Sequence, residues 1–181
     1  MTRPAQTCVS PKCASQTWKI LCSSAQARAS KAASAATSFG GALSPESWAR
    51  AKQNTSSDIY SFAIMAIYVM NNEMVFHVSE EELRSEMAWW HNLRRHISYF
   101  ADEAGLEGML GHIGAENPFF ERLIALAEDF DAERPRQSFA LWHYVEPDFR
   151  DLVGKMANLD PNRRITASQA LGHPWFKKAE M

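Results

Sequence analysis

Apolar residues recur at helical spacing along most of the chain after residue 43. The longest apolar run covers residues 59–70 and is interrupted only by Ser61. Because this run is apolar on every side, it predicts a helix that other elements surround. The polar run Thr55-Ser56-Ser57-Asp58 before it contains the residue types that cap helix N-termini, and Asn71-Asn72 marks the predicted end.

Three more helices are predicted between residues 79 and 127. Ser79 and Glu82 form a capping-box pattern, and the side chains after them continue as one helix. The positions at helical spacing are Leu83, Met87, Trp90, Arg94 and Ile97. Residues 102–113 predict a short helix, although three glycines weaken it. Asn117-Pro118 is typical of a cap followed by the first helical residue, which places the start of the next helix there.

The pattern is clearest near the C-terminus. Four apolar residues fall at positions i, i+3, i+4 and i+7, which predicts a helix with one buried stripe. They are Phe149, Leu152, Val153 and Met156. Asp160-Pro161-Asn162 interrupts this helix, Thr166 with Gln169 forms a second capping-box pattern, and residues 134–144 predict a connecting loop. Since the chain shows no alternating strand pattern and no hairpin dipeptide, the sequence predicts a mainly α fold.

Residues 1–43 differ in composition from the rest of the chain. They are rich in Ser and Ala and contain five basic residues but no acidic one, whereas residues 44–181 contain 14 basic and 21 acidic residues. With few large apolar side chains this segment cannot bury much surface, so we predict a disordered or irregular tail (1–43) before a helical domain (44–181). A mitochondrial transit peptide is the alternative interpretation, since such peptides are also basic, rich in Ser and poor in acids.

Composition argues against several classes of function. A formal net charge of −2 argues against a nucleic-acid binder, which would be basic. The longest apolar run is too short to cross a bilayer, so no membrane association is expected. The three cysteines, Cys8, Cys13 and Cys22, lie in the tail, and an odd number excludes a closed set of internal disulfides. Free thiols favour a reducing compartment, which predicts a cytoplasmic or nuclear protein, with the mitochondrion as the alternative.

No catalytic motif is visible in the pattern of residues. The chain contains no G-x-G-x-x-G, no G-x-x-x-x-G-K-[ST], no G-x-S-x-G and no H-E-x-x-H. Its glycines between residues 105 and 114 are three apart, a spacing that does not build a phosphate cradle. The residues alone thus predict no catalytic, cofactor-binding or metal-binding site. We expect the six histidines to lie on helix surfaces or to cap helices: His77, His91, His96, His112, His143 and His173.

Three ordered segments resemble the C-terminal half of a eukaryotic-type Ser/Thr protein kinase domain. Ser44-Pro45-Glu46 resembles the A-P-E motif that closes the kinase activation segment. Asp58-Ile59-Tyr60-Ser61-Phe62 resembles the D-x-W-S-F-G start of the long F helix. Residues 148–152, 159–167 and 173–176 together resemble the last kinase subdomain. The order and spacing of these segments make the resemblance specific.

The resemblance implies a helical C-lobe in which a few residues have structural roles. It implies that Glu46 pairs with Arg164, which would tie together segments 118 residues apart. It implies that Asp58 holds the backbone of a catalytic loop, and that the region around 44–55 helps to form a docking platform for a protein substrate or partner protein. The family's activity is phosphorylation of protein Ser or Thr with ATP and magnesium. The structural and platform residues implied are Ser44, Pro45, Glu46, Asp58 and Arg164.

The motifs that would bind ATP and catalyse transfer should precede Ser44, and residues 1–43 contain none of them. The Gly-rich loop, the strand lysine, the H-R-D aspartate and the D-F-G aspartate are all missing, so we expect this chain to bind neither ATP nor magnesium. Our first interpretation is a truncated C-lobe that is inactive alone. The alternative is a pseudokinase-like module that binds partners without catalysis, and a third interpretation is chance similarity among helical bundles. An F helix without its usual neighbours would expose apolar surface, so we also expect self-association.

Overall fold

The computed structural model describes residues 43–178, and within this range the chain forms nine α-helices, one 3-10 turn and no β-strand. The helices are α1 (Pro45–Trp48), α2 (Thr55–Asn71), α3 (Glu80–Arg84), α4 (Ala88–Phe100), α5 (Glu103–Ile113), α6 (Phe120–Glu128), α7 (Pro147–Met156), α8 (Ala167–Leu171) and α9 (Pro174–Lys178). The mainly α prediction is confirmed for these residues. None of these helices combines the length and apolarity needed to cross a membrane. The tail predicted for residues 1–43, with its cysteines, lies almost wholly outside the described residues.

Helix α2 is the longest of the nine and packs against α7. Its cap is Asn54, whose side-chain oxygen accepts a hydrogen bond from Ser56 N at 2.9 Å, while Asn54 N donates to Ser57 Oγ at 3.2 Å. The predicted capping run at 55–58 therefore lies inside the first turn, because Asn54, one residue earlier, has the extended backbone of a cap. The helix ends as predicted at Asn72, which has a left-handed φ of 57°.

Helix α2 is buried on one side rather than surrounded on every side. Met65 and Met70 are 36% and 48% exposed, and Met74 beyond the end of the helix is 40% exposed. These methionines supply exposed apolar surface of the kind that the sequence analysis expects near this helix. Self-association through that surface stays a prediction. The buried residues of α2 are Ser57, Tyr60, Ala63, Ile64, Ala66 and Ile67.

Two apolar clusters form the interior of the described domain. The first brings α2 and α7 together with the 3-10 turn, Phe139–Leu141, which lies in the predicted loop at 134–144. The second lies among α4, α5, α6 and the end of α1. Fully buried members of the first cluster include Tyr60, Ile67, Phe139, Leu152 and Met156, and those of the second include Leu93, Ile97, Met109 and Leu123.

The C-terminal helices follow the sequence pattern closely. Helix α7 buries the predicted stripe of Phe149, Leu152, Val153 and Met156. Its N-terminus is capped by Glu146, whose Oε2 accepts a hydrogen bond from Phe149 N at 2.7 Å, and Pro147 occupies the first helical position. The capping box of Thr166 and Gln169 opens α8 as predicted.

The middle of the chain departs from the prediction at two points. The capping box of Ser79 and Glu82 is present, but the helix it opens ends at Arg84. Ser85 breaks it, because its backbone is extended and its Oγ donates to Glu82 O at 2.8 Å. The single helix predicted through residue 97 is therefore wrong, and α4 begins separately at Ala88.

The second departure concerns the start of α6. The sequence predicts Asn117 as the cap and Pro118 as the first helical residue, but α6 begins at Phe120. Asn117 Oδ1 instead accepts a hydrogen bond from Phe119 N at 2.8 Å, two residues away, and this closes a turn before the helix. The Asn117 side chain, which was predicted to cap the helix, therefore closes a short turn that precedes it.

Helix α5 contains three glycines, and one of them, Gly108, permits close packing against the loop that contains Asp160. A Cβ atom added at Gly108 would lie 2.6 Å from Asp160 Cβ and still closer to the Asp160 carboxylate. A Cβ at Gly111, on the same helix, would have no neighbour within 4 Å. Asp102 also supports the helix, since its carboxylate accepts a hydrogen bond from Gly105 N at the helix start.

These two glycines provide a matched pair of substitutions on one helix. We expect Gly108→Ala to lower the free energy of unfolding by about 1–3 kcal/mol, because the methyl group forces Asp160 and its loop to move. We expect Gly111→Ala to raise it by about 0.5–1 kcal/mol, because alanine favours a helix and meets open space. Urea unfolding followed by circular dichroism measures both. Equal effects of the two substitutions would contradict the close packing at Gly108.

Candidate functional site

The side chains of Glu46 and Arg164 form a buried ion pair with two parallel hydrogen bonds. Arg164 Nη1 donates to Glu46 Oε1 at 2.6 Å, and Nη2 donates to Oε2 at 2.8 Å. Both side chains have no exposed surface. The pair joins α1 to the segment before α8, 118 residues later in the chain. The structure therefore contains the pair that the resemblance implies.

Arg164 uses all five of its N–H groups. Besides the two bonds to Glu46, Nη1 donates to Ser56 O at 3.1 Å, Nη2 to Leu159 O at 3.1 Å and Nε to Asn158 O at 2.7 Å. One guanidinium group thus holds α1, the first turn of α2 and the loop between α7 and α8. Because every donor is paired, the cost of burying this positive charge is offset by hydrogen bonds and by a carboxylate.

The environment of Glu46 keeps its carboxylate charged. Ser57 Oγ donates a third hydrogen bond, to Oε1 at 2.7 Å. Burial pushes the pKa of Glu46 upward, but the hydrogen bond and the charge of Arg164, together with the Ser57 hydroxyl, outweigh burial and hold this pKa below its usual value. Ser57 was not among the predicted site residues, although it lies in the polar run before the apolar helix.

A second buried pair, Tyr60 and His96, lies beside the ion pair. The Arg164 guanidinium carbon is 4.8 Å from the centroid of the Tyr60 ring, a cation–π distance. Tyr60 Oη and His96 Nδ1 share a hydrogen bond of 2.6 Å, and neither residue has exposed surface. The His96 ring also lies 4.4 Å from the ring of Phe76, centroid to centroid. Burial lowers the pKa of His96 to about 3, so the imidazole is neutral at ordinary pH.

The predicted surface or capping role is wrong for His96. This histidine falls on the apolar side of α4, three residues after Leu93 and directly before Ile97, and that side faces the interior. The spacing of these apolar residues is the signal that could have placed His96 inside. Among the described residues, its Nε2 atom has no hydrogen-bond partner.

The residues predicted for the platform do not all meet in the structure. Ser44 is the residue before α1, Pro45 is the first helical residue, and both are buried next to Glu46. Asp58 is exposed on the first turn of α2, and within residues 43–178 its carboxylate makes no hydrogen bond. The structure thus groups Ser44, Pro45, Glu46 and Arg164 and leaves Asp58 outside this group.

The loop between α1 and α2 is held by side chains that the sequence analysis did not assign to it. Asn117 Nδ2 donates to Ala49 O at 3.1 Å, and His112 Nε2 lies 2.9 Å from Lys52 O. Arg50, between these two points, has a left-handed φ of 54°. Contacts from α5 and from the turn before α6 therefore fix the shape of the predicted platform region around 44–55.

A surface groove of about 730 Å³ lies beside this loop. Its apolar lining includes Trp48, Trp89 and Phe119, and Arg122 lies over the last two rings at 4.7 and 5.0 Å. Arg50 also lies over Phe119, at 6.0 Å. A groove that combines aromatic rings with two arginines has the composition of a protein-docking surface. Over residues 43–178, no group of three or more His, Cys, Asp or Glu side chains is placed to hold a metal ion.

The model of the protein kinase domain family matches residues 21–176. Since this match covers most of the chain, the chain belongs to the protein kinase domain family. The match begins before Ser44 and includes part of the segment that the sequence analysis assigns to a tail, so the boundary between residues 43 and 44 stays a prediction.

Curated relatives match a shorter part of the chain. Calcium-dependent protein kinase 34 of Arabidopsis thaliana is 38% identical over 64 residues, which are 35% of this chain and 11% of that protein. Calcium/calmodulin-dependent protein kinase type II subunit delta of Oryctolagus cuniculus is 37% identical over 61 residues, which are 34% of this chain and 10% of that protein. These matched stretches span about a tenth of each relative's length.

Solved kinase structures share the fold of the described domain. MAP kinase LmaMPK10 from Leishmania major superimposes with a TM-score of 0.54 at 20% identity, over 77% of this chain and 37% of that one. A second structure of the same kinase, solved as a complex, gives a TM-score of 0.56 at 20% identity, over 76% of this chain and 40% of that one. This likeness shows the fold alone, and it confirms the predicted helical kinase C-lobe.

Removal of the Glu46 carboxylate tests the ion pair. We expect Glu46→Ala to lower the free energy of unfolding by about 3–5 kcal/mol, because it leaves the Arg164 charge buried without a partner. The matched control is Glu80→Ala, which breaks an exposed pair with Arg84 and should cost less than about 1 kcal/mol. Chemical unfolding of both variants measures the difference. Similar losses in the free energy of unfolding would show that the buried ion pair contributes little to stability.

The buried histidine predicts a pH dependence of stability. His96 binds a proton near pH 6.5 when the chain is unfolded but only near pH 3 when it is folded, so the unfolded state takes up more protons between these values. Stability should therefore fall as the pH is lowered from 6.5 towards 3, by about 1.4 kcal/mol per pH unit from this group.

His96→Gln removes this titration while retaining a hydrogen-bond acceptor for Tyr60. We expect the variant to lose less stability than the parent between pH 6.5 and pH 4, as measured by urea unfolding at each pH. His77→Gln, at an exposed position, is the control and should follow the parent. If the parent and the His96 variant show the same slope, the pKa of His96 is not lowered by folding.

Proposed function

We propose that the described domain acts as the C-terminal lobe of a protein kinase, where it presents a docking platform to a protein substrate or partner, and that a polypeptide of these 181 residues does not transfer phosphate by itself. The observation that carries this proposal is the Glu46–Arg164 pair. It fixes the platform at α1 from within the domain, in a sequence that contains none of the motifs used for phosphoryl transfer.

The chemistry of phosphoryl transfer supports the second part of the proposal. Transfer depends on residues that position ATP and magnesium and orient the attacking hydroxyl. The chain contains no Gly-rich loop, no H-R-D and no D-F-G. The exposed Asp58 fits this interpretation, since the resemblance gives it the task of holding a catalytic loop and the described residues offer it no partner.

The first part of the proposal rests on the family and on the relatives. Their names describe calcium-dependent and calcium/calmodulin-dependent protein kinases. We infer that the activity to which this lobe contributes is ATP-dependent phosphorylation of protein Ser or Thr. The residues that bind ATP and magnesium in that reaction are not part of the described domain. The calcium dependence of those relatives is not carried over to this chain.

A second candidate function is a non-catalytic module that binds a partner protein. The groove of about 730 Å³ beside the loop after α1 favours it, because this surface is built without any residue of the catalytic set. Aromatic rings with arginines beside them are enriched where proteins bind tightly to one another. Both functions place the partner on the same face of the domain.

An ATP-binding and phosphate-transfer experiment tests the proposed inactivity. We expect the melting temperature of the full 181-residue chain to stay unchanged when ATP and magnesium are added at millimolar concentration. We also expect no labelled phosphate to appear on casein, on histone or on the chain itself. A complete protein kinase assayed in parallel shows that the conditions support transfer.

A variant separates the chain's own activity from that of a contaminating kinase. Asp58→Asn changes an exposed residue, so the variant should fold like the parent. Transfer that Asp58→Asn abolishes, or a saturable rise in melting temperature with ATP and magnesium, would overturn the proposed inactivity. Transfer of equal size from parent and variant that stays with the chain through a second purification step would overturn it as well, whereas transfer that separates from the chain comes from a contaminant.

A further inference from the structure

A second cavity, of about 450 Å³, lies between α4 and the segment that follows α6. Three arginines line it, and no carboxylate does. Arg94 and Arg95 come from α4, and Arg134 comes from the segment after α6. This cavity is separate from the Glu46–Arg164 pair and from the groove beside α1, and it shares no lining residue with that groove.

Arg95 carries a hydrogen-bond donor that the domain does not satisfy. Its Nη1 atom is buried and has no hydrogen-bond partner among the described residues. The carboxylate nearest to it is that of Glu82, whose Oε2 is 4.0 Å from Nη2, too far for a hydrogen bond. A buried charged donor without a partner is costly, so a native site of this kind calls for an unseen acceptor.

Further donors face the same cavity. Ser98 is 7% exposed, and its Oγ accepts a hydrogen bond from Gln137 N at 3.0 Å, so its own hydroxyl hydrogen stays available. Gln137 Oε1 accepts a hydrogen bond from Tyr99 Oη at 3.0 Å, so its amide NH₂ group also stays available. Within residues 43–178, neither the Ser98 hydroxyl hydrogen nor the Gln137 NH₂ group donates a hydrogen bond to another residue. The lining therefore presents hydrogen-bond donors from Arg95, Ser98 and Gln137.

The side chains of Arg94 and Arg134 are held by carboxylates that do not line the cavity. Arg94 Nε donates to Asp129 Oδ2 at 2.8 Å, and its guanidinium lies 4.4 Å from the centroid of the Phe130 ring. Arg134 donates from Nη1 to Asp129 Oδ1 at 3.1 Å and from Nη2 to Asp131 Oδ2 at 3.4 Å. These bonds fix the cavity wall before any ligand arrives, which lowers the ordering cost of binding. Among the described residues, the charge of Arg95 has only a distant carboxylate, that of Glu82 at 4.0 Å, and Arg95 donates no hydrogen bond to it.

We propose that this cavity binds a phosphate group carried by a phosphorylated side chain of a partner protein. A phosphate monoester is tetrahedral, doubly charged and an acceptor only, which matches a wall of arginine, hydroxyl and amide donors. The cavity is larger than a bare oxyanion, so it also has room for the side chain that carries the phosphate. The site lies on α4 and the segment after α6, away from the platform at α1.

Titration of the full 181-residue chain with three probes tests the proposal. The probes are inorganic phosphate, a phosphoserine peptide and the same peptide without phosphate, at an ionic strength held constant with sodium chloride. We expect the phosphopeptide to bind saturably and more tightly than inorganic phosphate, and the unmodified peptide not to bind. Backbone amide signals of residues 95–98 and of Arg134, Arg136 and Gln137 should shift in the NMR spectrum.

Two substitutions that remove the same charge locate the site. Arg95→Gln should weaken phosphopeptide binding about tenfold or more, because a hydrogen bond to a charged group is lost. Arg84→Gln, on the exposed face of α3, should leave it unchanged. Circular dichroism checks folding, and if Arg95→Gln does not fold, Arg95→Lys replaces it and should weaken binding through loss of the planar fork.

Several results would overturn the proposal. They are the absence of saturable binding, equal binding by parent and Arg95 variant, equal binding of both peptides, and signal changes confined to other residues. Binding of inorganic phosphate without the phosphopeptide would also overturn it, because the site would then hold a free anion only.

Discussion

A charge buried inside a protein must be paired, and the described domain depends on one such pair. Arg164 donates all five of its N–H groups, and the accepting oxygens belong to three separate chain segments. Apolar packing is non-directional, so it can hold α2 against α7 in many ways. The fork of one guanidinium accepts only one arrangement of α1, the first turn of α2 and the loop before α8. Specificity of the fold thus comes from a polar interaction placed within an apolar interior.

The buried polar groups extend from the Glu46–Arg164 pair to Tyr60 and His96. Each of these groups influences whether its neighbours are charged or neutral. Arg164 keeps the Glu46 carboxylate ionised despite burial, and it lies over the Tyr60 ring. Burial raises the pKa of Tyr60 well above its usual value, so the phenol stays neutral, as does the imidazole of His96 that shares its hydrogen bond. One anion, one cation and two neutral rings therefore share one buried region. Substitution of any of them changes the electrostatic setting of the other three.

Sequence reasoning predicted those parts of the fold that local chemistry decides. The stripe of α7 and the capping boxes at Ser79 and Thr166 were correct, because periodicity and cap geometry act within a few residues. The Glu46–Arg164 pair followed from the family resemblance, since no local pattern links residues 118 apart. The break at Ser85 was missed because a side-chain bond to Glu82 O ended a helix that the pattern continued. His96 was misplaced because its residue type was given more weight than its position on an apolar face.

The span of the Glu46–Arg164 contact has a consequence for the order in which the domain forms. Most of its helices are short and local, so they can begin to form within microseconds. The carboxylate and the guanidinium, in contrast, can meet only after a loop of more than a hundred residues has closed, which is entropically unfavourable until other contacts have shortened it. Such long-range contacts slow folding. We therefore expect the Glu46–Arg164 ion pair to form late in folding, after helices α2 to α7 have packed together through their apolar faces.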